Sequence, residues 1–256
     1  MKPAAFDYAR PRSLDEALDL LAEHGDDATP LAGGQSLVPM MNLRLAQPVL
    51  VVDLNDLAEL AFVERRDSQL AVGALARQRD VERAPDCREL CPVMADALRF
   101  VGTPQTRNRG TIGGNLAHAD PTSELPAVLV ACDATVVLAA RRGTRELPAA
   151  DFFSGPHMTA REPDELVTEV RVPAFAPGTG WAFEELAWSF TAHPIVAVAA
   201  VAGAGGVRVA ASGISGSPVL VAGPEDDLAG VADDFRRSAA GDLVRRAVAR
   251  ATARAA

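Results

Sequence analysis

Two pairs of adjacent glycines, Gly33-Gly34 and Gly113-Gly114, constrain the fold of this chain more than any other feature. Glycine has no Cβ and adopts positive φ readily, so each pair allows a sharp turn in which the backbone closes around a ligand. Successive amides in such a turn bind anions, and neither segment has the spacing of a Rossmann or Walker phosphate loop. A single pair is typical of an ordinary tight turn. Two pairs, each beside small hydrogen-bonding residues, indicate a dinucleotide held between two lobes.

The order of helical and extended patterns predicts an α+β chain, and the first lobe is expected over residues 1–55. Ser13 and Glu16 form a capping box that opens an amphipathic helix ending near His24. Short β-branched or apolar runs predict the remaining elements of this lobe, which are strands at 28–31 and 49–52 and a brief helix at 37–45.

Two further lobes are expected after residue 55. The second, over 56–175, has predicted strands at 60–63, 70–72, 135–139 and 165–172, helices at 77–83, 92–101 and 125–131, and a long stretch of turn-forming residues at 102–115. A linker rich in proline and glycine follows at 173–180. The third lobe, over 176–256, has predicted antiparallel strands at 182–186, 195–202 and 207–212 and a final helix at 240–253.

Composition excludes several classes of function. The chain of 256 residues has a formal net charge of -9, whereas a nucleic-acid-binding protein needs a concentrated basic face. No apolar run reaches the roughly 18 residues of a membrane helix, so membrane insertion is not expected. The N-terminus has no apolar segment typical of a secretory signal. Three cysteines, Cys87, Cys91 and Cys132, are too few and too unevenly spaced for a disulfide framework, which favours a cytoplasmic location with buried thiols and no metal site.

The residues around both glycine pairs match a known family. Residues 102–121 read GTPQTRNRGTIGGNLAHADP, and residues 32–44 read AGGQSLVPMMNLR. Both segments resemble the FAD-binding medium subunits of molybdenum hydroxylases of the carbon monoxide dehydrogenase and xanthine dehydrogenase type. The resemblance extends from about Phe6 to the end of the chain and is most specific up to about Pro173.

The resemblance implies a fold of the vanillyl-alcohol-oxidase (PCMH) type, with two α/β lobes that clasp FAD and a C-terminal lobe of antiparallel sheet and helices. It implies that the first glycine loop (residues 32–37) wraps the pyrophosphate, and that the second glycine loop (residues 111–115) contacts it and extends toward the flavin. Glu124 occupies the position of an acidic residue near the adenosine. The expected cofactor-binding residues are Ala32, Gly33, Gly34, Gln35, Ser36, Leu37, Val101, Thr111, Ile112, Gly113, Gly114, Asn115, Glu124 and Val167.

The family's partners are a small subunit with two 2Fe-2S clusters and a large molybdopterin subunit, expected here as a dimer of heterotrimers. The resemblance implies an oxidoreductase subunit that passes electrons from the clusters through FAD to NAD, a quinone or oxygen. No serine, cysteine or histidine has the neighbours of a nucleophilic site, so no catalytic residue is expected in this chain. Two alternatives stay open, which are a stand-alone flavin reductase of related fold and a scaffold that has lost its cofactor.

Two segments depart from the family pattern. Where relatives carry a basic pair and a Gly-Asp, residues 188–194 have no basic residue, and residues 213–240 are short, as if a helix were missing. Both lie in the lobe expected beside the flavin ring. Trp188 and Phe190 either shield the flavin or pack in the core, which is the commoner arrangement for aromatics. His118 either lies near the flavin or is an ordinary loop histidine, and His193 is expected to enter a strand.

Overall fold

The computed structural model describes residues 1–223 and 228–255, and its first part is a three-stranded parallel sheet with the strand order β1-β3-β2. The Ser13 hydroxyl accepts a hydrogen bond from the Glu16 amide at 3.2 Å, as the capping box predicts. One face of the helix that follows buries Ala17, Leu18 and Leu21 against the sheet. The elements are β1 (Asp7–Ala9), α1 (Leu14–His24), β2 (Ala28–Leu31), α2 (Leu37–Asn42) and β3 (Leu50–Asp53).

A five-stranded antiparallel sheet with the order β4-β5-β10-β6-β7 and a surrounding layer of short helices form the middle of the chain. A two-stranded hairpin, β8–β9, adjoins it. The elements are β4 (Val63–Arg66), β5 (Gln69–Gly73), α3 (Gln78–Arg83), α4 (Pro85–Leu90), α5 (Pro92–Leu98), α6 (Pro104–Arg109), α7 (Ile112–His118), α8 (Glu124–Ala131), β6 (Thr135–Ala140), β7 (Gly143–Pro148), α9 (Ala149–Phe152), β8 (Phe153–Gly155), β9 (Met158–Thr159) and β10 (Leu166–Pro173).

The last part is a four-stranded antiparallel meander covered by one long helix. One face of the sheet packs Val198 and Ala200 against Val244 and Ala247 of the helix. The opposite face, with Ala197, joins the core of the middle sheet and α8. The first lobe has a core of its own, in which Leu18 and Val52 pack with Ala139 and Leu166 of the middle sheet. The elements are β11 (Gly180–Ala187), β12 (Pro194–Gly203), β13 (Gly206–Ser212), β14 (Val219–Leu220) and α10 (Asp234–Ala255).

Several sequence predictions need correction. Residues 102–115 are not a loop, because α6 and the start of α7 lie within them. Thr103 and Thr111 cap these helices, each accepting a hydrogen bond from the amide three residues later. The helix predicted at 37–45 ends at Asn42, and Arg44 beyond it has a φ of 59°. The strand predicted at 60–63 lies at Val63–Arg66, and the final helix begins six residues earlier than predicted, at Asp234.

Candidate functional site: a cavity between two glycine loops

A cavity of about 780 Å³ lies where the three lobes meet. Its wall contains thirteen of the fourteen residues predicted to bind the cofactor. The exception is Ile112, whose side chain is fully buried in the core beneath the second glycine loop. The predicted residues that line the cavity are Ala32, Gly33, Gly34, Gln35, Ser36, Leu37, Val101, Thr111, Gly113, Gly114, Asn115, Glu124 and Val167.

The first glycine loop offers a run of free donors. Within the described ranges, the five successive amides of residues 33–37 donate to no acceptor in the chain. The loop reaches this shape because Gly34 has a φ of 70°, which favours glycine. The Gly34 carbonyl is not free, because it accepts a hydrogen bond from the Val38 amide at 3.1 Å. Five unpaired amides facing a cavity form a binding surface for an anion such as a pyrophosphate.

The second glycine loop differs, because the amides of residues 112–115 are already used inside the protein. The Ile112 amide donates to the Ala76 carbonyl at 3.1 Å, and the Gly113 amide donates to the Ala74 carbonyl at 2.8 Å. The Gly114 amide donates to the Thr111 hydroxyl at 3.1 Å. What remains free for a ligand is the backbone amide and the hydroxyl proton of Thr111, and the side-chain amide nitrogen of Asn115, whose oxygen accepts from Ser123 at 3.0 Å. The two loops therefore have different chemical roles, which their similar sequences do not reveal.

Close packing explains why the second loop also needs glycine. A Cβ on Gly113 would lie 2.5 Å from the Ala74 Cβ, and a Cβ on Gly33 would lie 2.4 Å from the Arg109 carbonyl oxygen. Both distances are shorter than any normal carbon contact. The two loops thus approach each other and the middle sheet so closely that no side chain fits between them.

A polar bridge holds the two loops together from behind. The Asn55 side chain donates to the Ala32 carbonyl at 3.0 Å, and Arg77 donates to the Asn55 side-chain oxygen at 2.7 Å. Arg77 also donates to the Arg109 carbonyl, just before the second loop, at 2.6 Å. Asp53 fixes the bridge by accepting from Asn55 and from the Tyr8 hydroxyl. The link from Asn55 to Arg77 has no signal in the sequence.

The wall formed by Val101 and Gly102 rests on a buried ion pair. The Arg107 guanidinium, which is 4% exposed, donates to the Val101 carbonyl at 2.9 Å and to Glu82 at 3.0 Å. On the opposite wall, the register of β10 against β6 shifts between Val167 and Glu169. Such a shift re-aims a side chain, and Val167 lines the cavity. The position of Val101 therefore depends on the buried salt bridge, and that of Val167 on the irregularity in the sheet.

Three polar groups of the cavity were not singled out by sequence reasoning. Gln78 is 3% exposed, and its Oε1 has no hydrogen-bond partner among the described residues. Arg161 donates only to backbone carbonyls, with no carboxylate in salt-bridge range in the described part of the chain, and burial lowers its pKa. Thr106 lies on α6 at the cavity wall. A buried amide and a cation without a counterion fit a polar, negatively charged ligand.

Burial sets the protonation of Glu124 at the start of α8. Burial, together with the neighbouring carboxyls of Glu185 and Asp120, raises the pKa of the Glu124 carboxyl to about 8. Burial also raises the pKa of Glu185 to about 7, and its Oε2 has no partner within residues 1–223 and 228–255. A neutral Glu124 both donates and accepts hydrogen bonds, which suits a sugar hydroxyl.

The segment before β12 lies at the cavity mouth. Trp188 is 84% exposed and Phe190 is 63% exposed, so the expectation that they pack in the core is wrong. Phe190 contacts the Phe100 ring with centroids 5.7 Å apart. His193 directly precedes β12, as predicted, and also lines the cavity together with His118. His118 therefore lies at the cavity and is not an ordinary loop histidine.

In the described part of the chain, the three cysteines form no second centre. Cys87, Cys91 and Cys132 are free thiols, and all three are buried. The described residues contain no group of three or more side chains that could hold a metal ion. Among the helices of the described ranges, none has the length and hydropathy needed to cross a membrane.

Comparison with known proteins identifies a family and several relatives of this chain. Residues 4–175 match the family described as the FAD binding domain in molybdopterin dehydrogenase. The chain is 36% identical to the carbon monoxide dehydrogenase medium chain of Hydrogenophaga pseudoflava over the full length of both. It is 47% identical to the caffeine dehydrogenase subunit beta of a Pseudomonas species over 73% of this chain and 64% of that one.

Solved structures confirm the predicted fold. The carbon monoxide dehydrogenase structure from Hydrogenophaga pseudoflava superposes with a TM-score of 0.94, at 36% identity and with complete coverage of both chains. The alignment with the medium chain from that organism spans 288 positions, more than the 256 residues here, so this chain is the shorter in places. The family match and the shared fold lead to the same conclusion. The chain belongs to the family of FAD-binding medium subunits of molybdenum hydroxylases, and its cofactor is FAD.

Proposed function

We propose that this subunit carries electrons from the 2Fe-2S clusters of a small partner subunit, through FAD, to an external acceptor. The observation that carries the proposal is the cavity bordered by five free amides of the first glycine loop. The absence of a nucleophile–base pair among the described cavity residues supports a role in which the cofactor supplies the redox chemistry and the protein orients it.

Each part of the cofactor can be assigned to the cavity residues that suit it chemically. We assign the pyrophosphate to the amides of residues 33–37, with the Thr111 hydroxyl and the Asn115 side chain as additional donors. Arg161 supplies the positive charge that two phosphates require. Glu124 is assigned to a ribose hydroxyl, and Val101 and Val167 to the apolar surfaces of the rings. Ile112 supports the second loop from the core and makes no contact of its own.

The assembly is proposed from the relatives. The matched medium chain belongs to a carbon monoxide dehydrogenase, and the matched subunit beta to a caffeine dehydrogenase. We infer a small 2Fe-2S subunit and a large molybdopterin subunit as partners, in a dimer of heterotrimers in the cytoplasm. We also retain the division of the chain at 55/56 and 175/176, because each of the three larger sheets lies within one of these ranges.

The test is co-purification of an affinity-tagged chain from its native cell. The expected result is equal amounts of three subunits, an absorbance spectrum with flavin and iron–sulfur bands, and a mass of two heterotrimers by light scattering. Reduction of the FAD by the substrate of the large subunit supports the electron route. Rapid reduction of the isolated FAD-loaded chain by NADPH, with no partner subunits bound, would instead favour the stand-alone reductase.

A further inference from the structure

Three of the four histidines in the chain lie together at the cofactor cavity. His118, at the end of α7, and His193, before β12, line the cavity wall. The exposed His157 contacts the His118 ring, with centroids 4.8 Å apart. His24, the fourth, ends α1 and is not among the residues that line the cavity. The contact between His157 and His118 gives a direct connection from solvent to the cavity.

The backbone holds His157 in a conformation that histidine rarely adopts. Its φ is 55°, in the left-handed region, between β8 and β9. Two hydrogen bonds maintain it, because the His157 amide donates to the Ala119 carbonyl at 2.9 Å and its Nδ1 lies 3.1 Å from the His118 carbonyl oxygen. Strained residues that are held in place in this way are concentrated at functional sites.

The surroundings of His118 keep its imidazole neutral at pH 7. Burial lowers the pKa of His118, and the nearby His157 and His193 lower it further, against the opposing effect of Asp120. Burial also disfavours ionisation of Asp120, but hydrogen bonds from the Thr122 hydroxyl and amide outweigh it and hold the pKa of Asp120 below its ordinary value. Within the described ranges, neither ring nitrogen of His118 has a hydrogen-bond partner. A neutral imidazole of this kind is free to accept a proton.

We propose that His118 accepts the proton that leaves the cavity when reduced FAD is oxidised, and that His157 passes it to water. The proposal rests on the proposed electron-transfer function. Anionic reduced FAD gives two electrons to the acceptor and one proton to a free ring nitrogen of His118, and His157 returns that proton to solvent.

The first test measures the reduction potential of FAD against pH in the purified complex, by spectroelectrochemistry between pH 5 and 8. The slope of the FAD potential against pH is expected to change at the pKa of His118, which lies below the ordinary imidazole value of about 6.5. The change should be absent in His118→Gln and present in the matched control His24→Gln. A change in slope that persists in His118→Gln, with FAD bound and reducible, overturns the proposal. A complex that binds no FAD overturns the proposed function instead.

The second test uses His157→Asn, because asparagine tolerates positive φ and the position is exposed, so the fold should be kept. Reoxidation of reduced FAD by a soluble quinone should slow by about tenfold, while the dependence of the potential on pH stays as in the wild type. Added imidazole should restore the rate, which a purely structural defect would not allow. Unchanged reoxidation, or a slow rate that imidazole leaves unaltered, contradicts the role of His157.

Discussion

Replacement of Gly33 by alanine tests how closely the two glycine loops must approach. The added Cβ would lie 2.4 Å from the Arg109 carbonyl oxygen and 2.8 Å from the Gly110 Cα. Because carbon–oxygen contacts lie at about 3.3 Å or more, the loops must separate by about 1 Å. Arg77 and the Gly110 amide, which donates to Thr106 at 2.7 Å, resist this movement.

Overpacking of this kind costs about 1–3 kcal/mol. If the amides of the first loop move by the same distance, their interaction with FAD weakens. The FAD affinity then falls by about tenfold for each 1.4 kcal/mol of binding free energy lost. Thermal unfolding of the cofactor-free chain and fluorescence titration with FAD measure the two effects separately. Gly205→Ala is the matched control, because a Cβ there meets nothing within 4 Å. Wild-type FAD affinity in Gly33→Ala, or an equal loss in Gly205→Ala, would refute the reasoning.

Three further predictions concern charged groups in or behind the cavity. Folding raises the pKa of Glu124 from 4.5 to about 8. The contribution of this carboxyl to the stability of the cofactor-free chain is therefore complete below pH 4.5 and is lost as the pH rises to 8, by at most about 1.4 kcal/mol per pH unit. Glu124→Gln should remove this loss. Urea titrations at several pH values measure it, and an equal slope of unfolding free energy against pH in the wild type and the variant would contradict the prediction. Arg77→Met breaks both hydrogen bonds of the bridge behind the loops and should weaken FAD binding by about tenfold, whereas Arg10→Gln, which loses only an exposed salt bridge, should not. Arg161→Gln should weaken FAD binding to a similar degree and reduce its dependence on salt, which titrations at two ionic strengths would measure; an unchanged salt dependence would exclude a role for its charge.

The sequence predicted those features that depend on neighbouring residues. The capping box at Ser13 and the alternation in the last sheet require only local interactions, and the structure has both. The segment 102–115 was misjudged because its glycines have low helix propensity. Tertiary contacts such as the Gly113 amide to the Ala74 carbonyl override that propensity.

The candidate site was predicted in its residues but not in the roles of their atoms. The two glycine loops look equivalent in sequence, yet only long-range contacts decide which amides remain free. Gln78 and Arg161 at the cavity, and Arg77 behind the loops, could not be found, because the path of the backbone or partners distant in the chain place them there. Trp188 and Phe190 do not lie in the core, since hydrophobicity alone does not distinguish a core aromatic from an exposed one.

The most direct test of the central claim follows backbone amide resonances while FAD is added to the cofactor-free chain. The amides of residues 33–37 should shift downfield as they acquire an acceptor. Those of Ile112 and Gly113, already bonded to Ala76 and Ala74, should shift much less. Saturation at one FAD per chain with this pattern is the predicted result. No flavin binding, or binding that leaves residues 33–37 unchanged, would contradict the account.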